Sequence, residues 1–126
     1  MKRFVLGLLA ATALTFQASA QDEVNPGLLF DLGGKFDKSF NEASFNGAER
    51  FKTETGIEYV DFEISSDTQR EQALRRFAED GRNPIVMAGF SWATALEKVA
   101  EEFPDTNFAI IDMVVEQPNV QSVVFT

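Results

Sequence analysis

Short apolar runs alternate with segments of helical period along this chain, and that alternation decides its class of fold. The runs are Leu28-Leu29-Phe30, Ile85-Val86-Met87-Ala88 and Phe108-Ala109-Ile110-Ile111. Two further segments read as strands beside them: Ile57 to Ile64, rich in β-branched and aromatic residues, and Val120 to Phe125, apolar at Val120 and Val123-Val124-Phe125. Between them lie segments with apolar residues at three- and four-residue steps, the mark of a helix with one buried face. Ser39 to Glu54 carries Phe40, Ala43, Gly47, Ala48 and Phe51. The segment from Asp67 carries Ala73, Leu74, Phe77 and Ala78, and Trp92 to Glu102 carries Leu96, Val99 and then Phe103. Ser39 followed by Glu42, Ser66 by Gln69 and Thr68 by Glu71 offer capping boxes at helix starts. Gly56, Gly81, Pro84 and Pro104 supply stops. The order βαβαβαββ predicts an α/β domain, with a parallel sheet and helices on both faces.

In such a sheet the carboxyl ends of the strands share one edge, and ligands bind there. Helix starts lie at the same edge and point unpaired N–H groups at it. The first strand ends in Asp31, the third in Gly89-Phe90-Ser91 and the fourth in Asp112. Phe40 and Asn41 open the first helix after the loop Leu32 to Lys38. The candidate ligand-binding residues are therefore Asp31, Phe40, Asn41, Gly89, Phe90 and Asp112. Each also has a local reading. Asp31 and Asp112 could cap turns. Apolar neighbours on both sides of Asp112 make that harder, since a carboxylate there must find donors. Phe40 could staple the helix start or stack on a flat ring. Asn41 could bond a purine edge or cap locally. Ser91 reads as a helix cap, and Lys35, Asp37 and Lys38 as a solvated charge cluster.

Composition removes many other chemistries. The 126 residues contain no Cys and no His, so thiolate and imidazole metal sites and His-based triads are absent. No G-K-[ST] follows Gly33-Gly34 and no G-x-G-x-x-G occurs, so phosphate or dinucleotide binding has weak support. Asp31 and Asp112 form no acid/base pair with a nucleophile beside them; no enzyme activity, cofactor or metal is expected. The net charge of −9 argues against nucleic acid and anionic lipid.

Met1-Lys2-Arg3, the apolar run Phe4 to Phe16 and Ala18-Ser19-Ala20 have the order of a secretory signal peptide, over residues 1–20. The run is too short to span a bilayer. Loss of the two positive charges of Lys2 and Arg3 takes −9 to −11 for the remaining domain, 21–126. Without a Cys at the junction no lipid anchor is expected, and the location implied is the periplasm, free or peripheral to the inner membrane.

The string Asp31-Leu32-Gly33-Gly34-Lys35-Phe36-Asp37-Lys38-Ser39-Phe40-Asn41, with Gly47 beyond it, resembles the signature of the basic membrane protein family. These are substrate-binding proteins of ABC importers, also called purine nucleoside receptor-like. The resemblance continues through Val86 to Ser91, Phe103-Pro104, Phe108 to Asp112, Asn119-Val120 and Val123 to Phe125. It implies the N-terminal lobe of a type I periplasmic-binding-protein fold, incomplete here and read as a fragment without its second lobe. It also implies purine nucleosides as ligand, no catalytic step, a monomer, and ABC permease subunits as partner. Carried over by position, Phe40 would stack on the base, Asn41 would bond its edge and Asp31 would accept from it or its surroundings. Asp112 would take ribose hydroxyls, and Gly89 and Phe90 would line the cleft. Two rivals remain: an enzyme or signalling domain of flavodoxin or response-regulator type, and a binding protein for sugars or autoinducers.

Overall fold

A computed structural model describes residues 23–126. The signal peptide expected over residues 1–20 and its expected cleavage site lie outside the described residues. Five strands form one parallel sheet in the order β2-β1-β3-β4-β5. They are β1 (Gly27–Phe30), β2 (Val60–Glu63), β3 (Ile85–Ala88), β4 (Phe108–Ile111) and β5 (Val120–Val123). The helices are α1 (Phe40–Thr55), α2 (Arg70–Glu79) and α3 (Ala93–Glu102). Single 3-10 turns, Asp67–Gln69 and Phe90–Trp92, lead into α2 and α3.

The chain moves outward from β1 to β2, then returns past β1 to β3 and on to β4. Right-handed crossovers therefore put α1 on one face and α2 and α3 on the other. Strand residues divide by parity. Leu29, Ile85, Met87, Phe108 and Ile110 join Leu74, Phe77, Leu96 and Val99 in the main core, with Trp92 sealed among them. Leu28, Val86 and Ile111 turn to the α1 face and line an apolar groove of about 480 Å³ with Phe40, Phe51 and Phe125. The stripe expected to bury α1 fares worse than that of α2: the one buried residue of α1 is Asn41. Ala43 and Gly47 are exposed and face the groove instead.

Helix ends follow local chemistry closely. Gly56 closes α1 at φ 73° and donates its N–H to Lys52 O at 2.8 Å, the left-handed cap that glycine adopts without a Cβ clash. The start of α1 differs from the expected box, because Ser39 makes no side-chain cap bond. Asp37 does that work: its Oδ1 accepts from Ser39 N at 2.8 Å and Glu42 N at 3.1 Å. Glu42 returns through Oε2 to Lys38 N at 3.0 Å. Desolvation of Asp37 opposes its charge, but the N–H groups of Glu42, Ser39 and Asn41 hold its carboxyl below its usual range. The boxes before α2 are also redirected: Gln69 Oε1 accepts from Ser65 N at 2.7 Å, while Ser66 makes no cap bond. The strand expected over 57–64 is confined to β2, and the one expected to reach Phe125 ends at Val123.

Candidate functional site

With strand order 2-1-3-4-5, the chain reverses direction across the sheet between β1 and β3, which opens a crevice at their carboxyl ends. Asp31 follows β1 and Gly89 follows β3, so both stand at this reversal. They touch. Gly89 is buried at φ 102°, and a Cβ built on it would lie 2.9 Å from Asp31 Oδ2. The missing side chain at Gly89 is what makes room for the carboxylate.

Asp31 Oδ1 accepts from its neighbour Leu32 N at 2.8 Å, the local turn bond. It also accepts from Arg70, the first residue of α2. Arg70 forks, giving its other terminal nitrogen to Asp67, and its Cζ lies 5.7 Å from the centroid of the Trp92 ring. Burial opposes the charge on Arg70, but the carboxylates of Asp67 and Asp31 outweigh it and raise its pKa. The sequence reading missed Arg70. Its signal was the sign of the charge: a cation in the first turn of a helix stands at the end that favours anions.

Asn41 is where the structure corrects the expectation of a contact with a base. It is 1% exposed. Its Oδ1 accepts from Asp31 N at 2.9 Å, and its Nδ2 donates to Asp31 O at 3.0 Å, Gly34 O at 3.1 Å and Leu32 O at 3.4 Å. Both N–H groups and the oxygen of the amide are engaged by backbone at the end of β1 and in the loop after it. Asn41 thus ties the start of α1 to the end of β1 and shapes the Leu32–Lys38 turn from within.

Phe40, beside it, is 42% exposed, with its ring 5.9 Å from that of Phe125. Phe90 is 62% exposed on the 3-10 turn after Gly89. Asp112 follows β4 with φ 72°, a left-handed conformation uncommon outside glycine. Its N–H is anchored to Val123 O at 2.7 Å, and its carboxylate accepts no hydrogen bond among the described residues. The structure therefore joins Asp31, Asn41 and Gly89 in one contact set and places Phe90 next to it. Phe40 and Asp112 stand at the same edge without bonding to Asp31. The expected solvated charge cluster is also tied down in part: Lys35 pairs with Asp61 at 2.7 Å and lies 5.0 Å from the centroid of Phe45.

Residues 26–126 match the family of PnrA-like ABC transporter substrate-binding proteins. The chain belongs to that family. An uncharacterized lipoprotein of Pyrococcus furiosus is 36% identical over 86% of this chain and 26% of its own length. The ABC transporter nucleoside-binding protein BmpA of Lactococcus lactis is 26% identical over 82% of this chain and 31% of its own. Among solved structures, a solute-binding protein of an ABC transporter system from Aeropyrum pernix superposes with a TM-score of 0.74. It is 35% identical over 79% of this chain and 28% of that one. The chain thus spans about a quarter to a third of the length of these relatives.

Proposed function

We propose that this chain is the N-terminal lobe of a periplasmic substrate-binding component of an ABC importer for purine nucleosides, working without a catalytic step. The observation that carries the reading is the contact of Asp31 with Gly89 at the reversal between β1 and β3, with exposed rings of Phe40 and Phe90 at the same edge. A nucleoside needs what this edge offers. Its base has a flat face for an aromatic ring, the N–H groups of the base and the ribose hydroxyls donate to carboxylates such as Asp31 and Asp112, and it needs no metal. The export signal read in residues 1–20, the family and the nucleoside-binding name of the Lactococcus lactis relative agree with it. Its partners are then a nucleoside and the permease subunits of the inner membrane, and its location is the periplasm.

The receiver-type alternative shares the strand order but wants a cluster of acids around the first-strand Asp to hold a cation. Here an arginine occupies that carboxylate instead, the opposite electrostatic arrangement.

One lobe supplies one wall of a cleft that a second lobe would close. The 126-residue chain should therefore bind adenosine, guanosine or inosine in about the millimolar range, with amide shifts at Asp31, Phe40 and Asp112 in NMR titration. Micromolar affinity by calorimetry would defeat the one-wall argument. Saturating shifts with glucose or ribose alone, and none with a nucleoside, would replace the ligand class.

A further inference from the structure

Arg70 is placed against local rules. It stands in the first turn of α2, where the helix field disfavours a cation. Its side chain is only 9% exposed, which is costly for a charge without full pairing. Its Nε has no hydrogen-bond partner among the described residues. A buried ion pair of this kind is weak as a device for stability, since apolar residues of similar volume often serve as well. Its geometry has one specific effect. Both hydrogen bonds made to the Asp31 side chain, from Arg70 and from Leu32 N, fall on Oδ1. Oδ2 is left against Gly89, accepting nothing among the described residues.

We propose that Arg70 is a positioning residue, holding the Asp31 carboxylate against Gly89 so that Oδ2 alone is offered to a hydrogen-bond donor on the ligand. The last clause rests on the nucleoside reading above; the positioning itself does not. Asp67, 77% exposed, braces the other arm of the guanidinium, and the Trp92 ring supplies a flat bed beneath it. Gly89 completes the arrangement by leaving the space into which the oriented carboxylate fits.

The test uses the full chain as wild type, Arg70→Met and Arg70→Lys, with the emission of Trp92, the single tryptophan, as the check on folding. Side-chain couplings of Asp31 in NMR report its χ1 rotamer with no ligand present. One rotamer is expected in the wild type and averaging among rotamers in both variants, because a lysine cannot fork between two carboxylates. An unchanged single rotamer in a folded variant overturns the proposal. Should Arg70→Met fail to fold, Arg70→Lys decides it alone. Inosine is then titrated. Affinity about tenfold weaker in the variants supports the role in ligand presentation. Equal affinity despite a released rotamer overturns that role. No response of the wild type to inosine, with the rotamer released in the variants, sinks the nucleoside reading and upholds the positioning.

Discussion

The two faces of this sheet share their strands but not their cover. On the α2/α3 face, Leu29, Ile85, Met87 and Ile110 are wholly sealed, and Leu74, Leu96, Val99 and Trp92 interlock above them. On the α1 face a single helix among the described residues crosses the sheet, leaving Val86 and Ile111 half-buried along an apolar groove. The difference comes from connectivity. Two right-handed crossovers deliver α2 and α3 to one side, and one delivers α1 to the other. The passage from β4 to β5 contains no helix. Continuous apolar runs make both faces of a parallel strand want cover, but only topology decides where the cover goes. The functional edge lies where the two faces meet: Asn41 is bonded from α1, and Arg70 reaches in from α2.

Five substitutions or conditions test this asymmetry. The largest effect is expected from Leu96→Ala, which opens a hole in the sealed face and should cost about 2–5 kcal/mol in urea denaturation. Phe51→Ala, beside the groove, should cost less than half of that despite removing a larger side chain. Equal losses would show that the α1 face is as tightly packed as its opposite. Gly89→Ala comes next. It meets both the positive φ and the Asp31 carboxylate, so a loss of about 1–3 kcal/mol is expected, with new positions for the Asp31 and Leu32 amide resonances.

Gly47→Ala should act in the other direction. Among the described residues nothing beyond the adjoining backbone of α1 lies within 4 Å of where its Cβ would stand, and a helix-interior glycine gains about 0.5–1 kcal/mol on becoming alanine. A loss instead would show that the groove is filled in solution. The smallest effect should come from the ion network between α2 and α3. Arg75 bonds Glu102 at 2.7 Å and Glu71 at 2.8 Å, and Lys98 adds 3.1 Å to Glu71. Arg75, with Lys98 for Glu71, holds both carboxyls below their ordinary value of 4.5. A carboxyl lowered in the folded state contributes stability above that value and loses it as pH falls through the folded one. The urea midpoint should therefore drop below about pH 4.5, by less in 1 M salt, where exposed pairs are screened. A midpoint indifferent to salt across that range would remove the network from the account.

The positions of strands and helices could be read in advance because they rest on near-neighbour chemistry. Ile85-Val86-Met87-Ala88 has no polar residue to solvate, and Gly56 can take a left-handed turn at no steric cost; both behave as their own residues require. Asp31, Gly89 and Asp112 reached the expected edge for the same reason, since the end of a strand is a local property and parallel pairing lines the ends up. What linear order could not settle was which groups each side chain would meet. Asn41 had an acceptor and two donors to spend, and only the folded loop brought four backbone atoms close enough to take them. Arg70, thirty-nine residues from Asp31, became its partner through the return of the chain from β2 to β3. Apolar spacing marked α1 as amphipathic but could not tell a sealed face from an open groove. Burial depends on how many elements arrive at a surface, and that number is set by the handedness of connections, not by the residues within any one of them.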